Sequence, residues 1–451
     1  MTTPQTCKSV TVVGGGLAGS EAAWQLALRG FRVKLYEMRP EKMTPAHESS
    51  YLAELVCSNS LGGDRTTTPA GILKAELKRM GSLIMECAEA TRVPAGNALA
   101  VDRERFARMV EEKIRAHENI ELIREELCEI PLEPAIIATG PLTSATMAAE
   151  LAKLTGEDFL YFYDAVAPIV EVSTVDMTKA FRANRYGAEG DYINCPMNEE
   201  EYKLFWQALV SAETAPRHDF EAEQQRHFEG CLPVEVIAGR GEKTLLFGPL
   251  RPVGFEAACG GEEPYAVVQL RQDNEEGTLF NIVGFQTNLK WGEQERVFRL
   301  IPALREAEFA RKGVMHRNLF VCAPRVLDGC LRFRGREALY IAGQASGVEG
   351  YMESTATGLA AALFACRHTQ GLKAPEFPAE TAIGSLLNYL KTALPGSFQP
   401  MNVNLGIFPK CGTKKIRKRT ERCEAYAKRA IEALEKFIAE NPELFPKKGV
   451  C

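Results

Sequence analysis

Thirty residues near the N-terminus constrain this chain more than any other part of it. Residues 8–13 form an apolar run that reads as a buried parallel strand. The run breaks at Gly14-Gly15-Gly16-Leu17-Ala18-Gly19, and residues 20–29 then have helical periodicity, with Ala22, Ala23, Leu26 and Ala27 as the packing face. Gly30 suits a left-handed helix cap. Residues 31–36 are a second strand, closed by Glu37. The first glycine of Gly14-x-Gly16-x-x-Gly19 permits the tight turn, the second lets the backbone approach a pyrophosphate, and the third lets helix and strand pack closely. The helix N-terminus offers free N–H groups to the phosphates. Glu37, eighteen residues after Gly19, is placed to accept hydrogen bonds from ribose hydroxyls. This is a βαβ unit for a dinucleotide.

NAD domains of this kind are compact and continuous, whereas here the sheet is revisited twice. Residues 135–138 read as a strand ending at Thr139-Gly140, and residues 338–342 as another, followed by Gly343-Gln344 and a small-residue helix over 354–366. The second junction puts another helix N-terminus near the cofactor. The pattern resembles the glutathione-reductase-like FAD domain, an α/β Rossmann fold. No second glycine fingerprint of similar quality exists, so a reductant has to reach the flavin from solvent. With 451 residues, the chain has room for about three units. Residues 1–160 read as the first part of the FAD-binding domain, 161–325 as an inserted α+β domain, and 326–451 as the return segment with a basic helix over 414–438. Smaller expectations are a loop over 39–70, helices over 71–87, 102–117 and 199–211, and strands over 120–127, 165–172 and 265–270.

An apolar fraction of 45% and a charged fraction of 25% are ordinary for a globular protein and exclude disordered or collagen-like classes. No apolar run is long enough to span a bilayer, and the N-terminus lacks a signal-peptide pattern. Thirteen scattered cysteines without C-x-x-C spacing give no metal site, and a reducing, cytoplasmic location is expected. Disulfide reductases of this fold carry a C-x-x-x-x-C pair after the second strand. Here Cys57 stands alone in Leu55-Val56-Cys57-Ser58-Asn59-Ser60. It reads either as a small buried hydrophobe or as a nucleophile with polar neighbours. Cys231, between Gly230 and Leu232-Pro233, has the same two readings. Residues 410–429 hold nine basic residues against two acidic ones, in a chain whose net charge is -5. That asymmetry suits either contact with a polyanion or a solvated helix face.

The blocks Gly14-Gly15-Gly16-Leu17-Ala18-Gly19-Ser20-Glu21, Leu55-Val56-Cys57-Ser58-Asn59-Ser60, Phe228-Glu229-Gly230-Cys231-Leu232-Pro233, Phe247-Gly248-Pro249-Leu250-Arg251-Pro252, Val283-Gly284-Phe285-Gln286-Thr287-Asn288-Leu289, Gly313-Val314-Met315-His316-Arg317-Asn318 and Gly347-Val348-Glu349-Gly350-Tyr351 span nearly the whole chain. Together they resemble the folate- and FAD-dependent tRNA (uracil-5-)-methyltransferase family. The resemblance implies methylation of C5 of uridine 54 in the T-loop of tRNA. The carbon comes from 5,10-methylenetetrahydrofolate, the hydride from reduced FAD, and NAD(P)H re-reduces the flavin. It gives Cys231 the place of the C6 nucleophile and Cys57 that of a second cysteine near the isoalloxazine. It directs Lys414, Lys415, Arg417 and Lys418 to the T-arm of tRNA. Tyr351 and His316 are candidates for the folate or flavin face, with a place in the core as the alternative reading. The cofactor residues expected are Gly14, Gly15, Gly16, Leu17, Ala18, Gly19, Glu37, Thr139, Gly140, Gly343 and Gln344. Two rivals remain at this point. One is the related GidA/MnmG flavoprotein acting on the wobble uridine, which is longer at its C-terminus. The other is a small-metabolite FAD oxidoreductase. The sequence leaves the oligomeric state open.

Overall fold

The computed structural model describes residues 8–131, 134–156, 160–186, 190–215, 232–256, 258–259, 263–412 and 418–445. Strands β1 (Ser9–Val13) and β2 (Arg32–Glu37) lie parallel, Val10 opposite Val33 and Val12 opposite Leu35. The helix α1 (Leu17–Ala27) joins them. Ala135–Ile137 pairs with the other side of β1, and Leu339–Ile341 lies beyond it. Ile120–Arg124 closes the edge outside β2. All five strands are parallel, and Val10, Val12, Ile136, Ile137 and Ile341 are fully buried, as a sheet covered on both faces requires. The helix Tyr351–Thr369 is apolar nearly all round and packs against α1. A Cβ at Gly358 would overlap the carbonyl oxygen of Ala18, so glycine sets the closeness of the two helices.

A second core draws on residues between Val170 and Ala307. Its antiparallel sheet has the strand order Phe181–Arg182, Ile193–Met197, Ala266–Gln272, Leu279–Ile282, Ile169–Glu171, Phe309–Arg311. Phe205, Phe280, Phe285 and Phe298 fill it. The helix Glu199–Val210 starts in a capping box. The Glu201 N–H donates to Asn198 Oδ1 and the Asn198 N–H to Glu201 Oε2, both at 2.9 Å. The chain leaves the parallel sheet along Leu160–Ala165 and comes back along Met315–Phe320. These two strands pair antiparallel, Ala165 opposite Met315 and Leu160 opposite Phe320.

Several expected elements differ in detail. The supposed loop over 39–70 contains the strand Ser60–Gly63, and its last residues open the helix Pro69–Arg79, which Thr68 caps. The single helix expected over 71–87 is two, because Gly81 takes φ +73° and Ser82 caps a new helix, Leu83–Ala90. Residues 165–172 are the end of one strand and the start of another, separated at Pro168, which has no N–H for a ladder. The C-terminal helix is Arg419–Glu440, and its charge is not as expected: it carries five basic and five acidic residues. The positive excess lies upstream in 410–418, of which 413–417 fall outside the described residues.

Candidate functional site

The glycine turn behaves as its spacing demands. Gly14 has φ +101°, and a Cβ there would lie 2.5 Å from the Ala138 carbonyl oxygen. Its N–H donates to the Tyr36 carbonyl at 2.8 Å, tying the turn to β2. A Cβ at Gly19 would overlap the Gly14 carbonyl oxygen. Gly16, by contrast, has open space where its Cβ would be, and it begins α1 without a side-chain cap. The first-turn N–H groups of α1 are thereby left for a ligand. Glu37 ends β2, buried, with Oε2 accepting the Gly15 N–H at 3.0 Å and Oε1 accepting Arg39 N and Nε, each at 3.0 Å. Burial pushes its carboxyl up, but the Arg39 hydrogen bonds and charge outweigh this and hold it below the ordinary carboxylate value. It is therefore an anion at neutral pH.

The opposite wall comes from the two places where the chain revisits the sheet. Gly140 takes φ +69° after Ala135–Ile137, and Thr139 and Thr143 hydroxyls meet at 2.6 Å. Gly343 takes φ +79° after Leu339–Ile341, and its N–H donates to Thr357 Oγ1 at 2.8 Å. The helix Tyr351–Thr369 begins at Gly350 with no side-chain cap. Between these walls lies an open cleft. Every residue the sequence assigns to the cofactor lines it except Gly19, whose part is packing, and Tyr351 lines it too. Two uncapped helix starts, an ionised carboxylate at the end of β2 and a long trench fit FAD.

Cys57 lies next to this cleft, half-buried, its Sγ donating to the Ala165 carbonyl at 3.5 Å. The Cys57 and Ser58 N–H groups both donate to the Tyr351 phenol oxygen, at 2.8 and 3.1 Å. Burial first, and then the Cys57 sulfur, push the Tyr351 hydroxyl above its ordinary pKa, so it stays protonated with one O–H to donate. The sequence shows no cation beside Cys57, but the fold brings one to each side of its segment, and the charge of Arg103 interacts with the Cys57 sulfur. Arg103 Nη1 donates to the Leu55 carbonyl at 2.6 Å, and Arg271 Nη2 donates to Ser58 Oγ at 2.7 Å. Asp273 pairs with Arg103 at 2.8 Å.

The other expected residues are less defined. Cys231, Lys414, Lys415 and Arg417 lie outside the described residues. The Val234 N–H, three residues after Cys231, donates to the Gln286 carbonyl at 2.7 Å. His316 sits on the returning strand opposite Asp164. Lys418 is exposed and pairs with Glu421 at 3.1 Å. The sequence reading missed Arg39 and the cleft walls formed by residues 125–127 and 141–144. None of these carries a motif; only the closeness of Arg39 to Glu37 in sequence was a usable signal.

Residues 9–373 match the family described as Glucose inhibited division protein A. The chain is 58% identical over 437 residues to the methylenetetrahydrofolate--tRNA-(uracil-5-)-methyltransferase TrmFO of Desulforudis audaxviator, covering 96% of this chain and 99% of that one. It is 56% identical over 434 residues to the TrmFO of Pelotomaculum thermopropionicum, with the same coverage of 96% and 99%. The chain belongs to the TrmFO family. Among solved structures it is similar to Aquifex aeolicus GidA, with a TM-score of 0.70 at 14% identity, over 99% of this chain and 75% of that one. The likeness to GidA, at 14% identity, shows the fold alone, while the identity of 58% to TrmFO shows the family. Among the described residues, no helix is long and apolar enough to cross a membrane.

Proposed function

We infer that this TrmFO-family protein methylates C5 of uridine 54 in the T-loop of tRNA, in the cytoplasm, taking the carbon from 5,10-methylenetetrahydrofolate. The observation that carries the reading is that the dinucleotide cleft reaches Tyr351, whose phenol oxygen holds the backbone of Cys57. FAD bound in the cleft supplies the hydride that turns the transferred methylene into a methyl, and NAD(P)H restores it. Glu37 holds the ribose, the glycine turn and α1 hold the pyrophosphate, and the Thr139-Gly140 and Gly343-Gln344 junctions flank the rest. C5 of uracil is a poor nucleophile until a thiolate adds to C6 and sends the ring electrons to O4 as an enolate. Cys231 takes that part. C5 then bonds to the methylene carbon; loss of the C5 proton breaks that carbon's bond to the tetrahydrofolate nitrogen and frees tetrahydrofolate, and hydride addition to the exocyclic methylene expels the thiolate from C6. Cys57 stands at the cleft end, held by Tyr351, to take part in the proton removal or to shield the carbon under transfer. His316 and Tyr351 are assigned to the folate or flavin face.

The T-loop base must be exposed, at a cost of a few kcal/mol. Lys414, Lys415, Arg417 and Lys418 offset this through the RNA backbone. The FAD-loaded protein given unmodified tRNA, methylenetetrahydrofolate and NAD(P)H forms 5-methyluridine at position 54. Cys231→Ser and Cys57→Ser each abolish it while flavin stays bound. Absence of 5-methyluridine with intact tRNA and bound flavin refutes the reading, and full activity in both variants refutes the cysteine roles.

A further inference from the structure

The block Phe247-Gly248-Pro249-Leu250-Arg251-Pro252 contributes to the family resemblance but takes no part in the cleft. It belongs to a knob of hydrogen-bonded turns on the antiparallel module. The Thr244 N–H donates to the Gly241 carbonyl at 3.0 Å, and the Gly248 and Leu250 N–H groups donate to the Leu245 carbonyl, also at 3.0 Å. Leu245 and Leu250 are buried beneath it. The Tyr202 hydroxyl donates to the Glu242 carbonyl and Trp206 Nε1 to the Ala238 carbonyl at 3.1 Å, which ties the knob to the helix Glu199–Val210. From this firm base the Phe247 ring stands 85% exposed, more than any other large hydrophobic side chain among the described residues. Its exposure is thus a property of an ordered turn.

The cations in and beside these turns differ in their partners: the Lys243 charge bears on the Glu199 carboxylate, whereas Arg251 has no carboxylate paired to it among the described residues. Lys243 and Arg251 are exposed and form no salt bridge among the described residues. Arg185 Nη1 donates to the Arg251 carbonyl at 3.1 Å, and its guanidinium lies 4.7 Å from the centre of the Phe255 ring. Burial, and then the charge of Arg251, make the Arg185 guanidinium harder to keep protonated. Two like charges stand close with no carboxylate paired to either among the described residues, an arrangement that an incoming anion relieves. Beside Arg185, Tyr186 is 73% exposed in a left-handed conformation, φ +67°, with its N–H on the Gly254 carbonyl at 2.7 Å.

We propose that Phe247, Tyr186, Lys243, Arg185 and Arg251 form the face on which the substrate RNA docks, the rings stacking on unpaired bases and the cations meeting phosphates. The inference rests on the tRNA reading above and adds the surface that receives the RNA. Exposed aromatic rings interleaved with lysine and arginine suit single-stranded nucleic acid, because every base has a face to stack and every nucleotide carries a phosphate. In a chain of net charge -5, a polyanion is drawn only to a local positive surface of this kind. The knob is also coupled to the chemistry. A Cβ at Gly284 would lie 2.5 Å from Pro249 Cβ, so the missing side chain seats the knob. Two residues on, the Gln286 carbonyl holds the segment that follows Cys231.

The test is the affinity of the full-length, FAD-loaded protein for a fluorescently labelled, unmodified tRNA transcript, measured by anisotropy over a range of salt concentrations. Phe247→Ala weakens binding about tenfold without changing the salt slope, and Phe247→Trp restores it. Lys243→Gln and Arg251→Gln each lower the salt slope by about 0.7 to 1. Flavin content and thermal midpoint, unchanged in each variant, separate docking from folding. Wild-type affinity and salt slope in both Phe247→Ala and Arg251→Gln overturn the assignment. So does a change of self-association, by sedimentation, in place of a change in RNA binding. A wild-type protein that fails to bind the transcript at all overturns the tRNA reading together with this one.

Discussion

Arg39 holds Glu37 at 3.0 Å and Glu54 at 3.2 Å, and it is only 2% exposed. Removing such a cation leaves carboxylates buried without a partner, which costs about 3–5 kcal/mol. Arg39→Met is therefore expected to lower the unfolding free energy by that order in urea titrations and to lose flavin on gel filtration. Glu37→Gln keeps the shape and removes the anion, so flavin per protein falls with a smaller loss of stability. Because the Glu37 carboxyl lies below its ordinary value in the fold, its contribution is complete above about pH 4.5 and disappears as pH falls through that lower value. The position of Glu37, at the end of β2 and against the glycine turn, is legible in the sequence because it follows from distance along a βαβ unit. Arg39 is not, since its second partner, Glu54, is delivered by a loop with no periodicity to read. Cys57 is visible as a lone thiol among polar residues. The cations that hold its neighbours Leu55 and Ser58, Arg103 and Arg271, come from far along the chain and could be found only in three dimensions.

Helix ends show how the elements are tied together. Glu76, inside Pro69–Arg79, accepts the Ala382 N–H at 2.7 Å and the Ile383 N–H at 3.1 Å, so one helix caps another about three hundred residues away. Burial pushes its carboxyl up to about 8 despite those bonds. Between about pH 4.5 and 8 the folded form thus retains a proton that the unfolded form has released. Stability falls as pH rises through this window. Glu76→Gln flattens that slope, which melting curves at pH 5 and pH 8 reveal. Asp102 is a simpler case, legible from its place before an apolar period. Its Oδ1 accepts the Arg105 N–H at 2.9 Å, and Asp102→Ala costs about 1 kcal/mol by chemical denaturation. The divided helix at Gly81 and divided strand at Pro168 were harder to read, because the apolar pattern runs on across both breaks.

The parallel and antiparallel modules meet across residues 55–59 and 271–273. Arg103 Nε pairs with Asp273, and Asn59 Nδ2 donates to the Gln272 carbonyl at 2.8 Å. Asp273→Ala leaves the Arg103 charge without its carboxylate. A loss of about 3–5 kcal/mol is expected, with the two modules melting apart in calorimetry. The α/β class and the return of the chain to its first sheet were readable because strand-then-glycine patterns recur at 135–140 and 338–344. The contact between modules was not, because residues some two hundred positions apart leave no local mark. The order of the sheet has one more consequence. Its outer strand Leu339–Ile341 and the helix that seats against α1 at Gly358 leave the ribosome more than three hundred residues after the turn they complete. A nascent chain carries the glycine turn through most of translation without the opposite wall of the cleft. Loading therefore waits for that late wall, and products truncated before residue 339 are expected to be colourless.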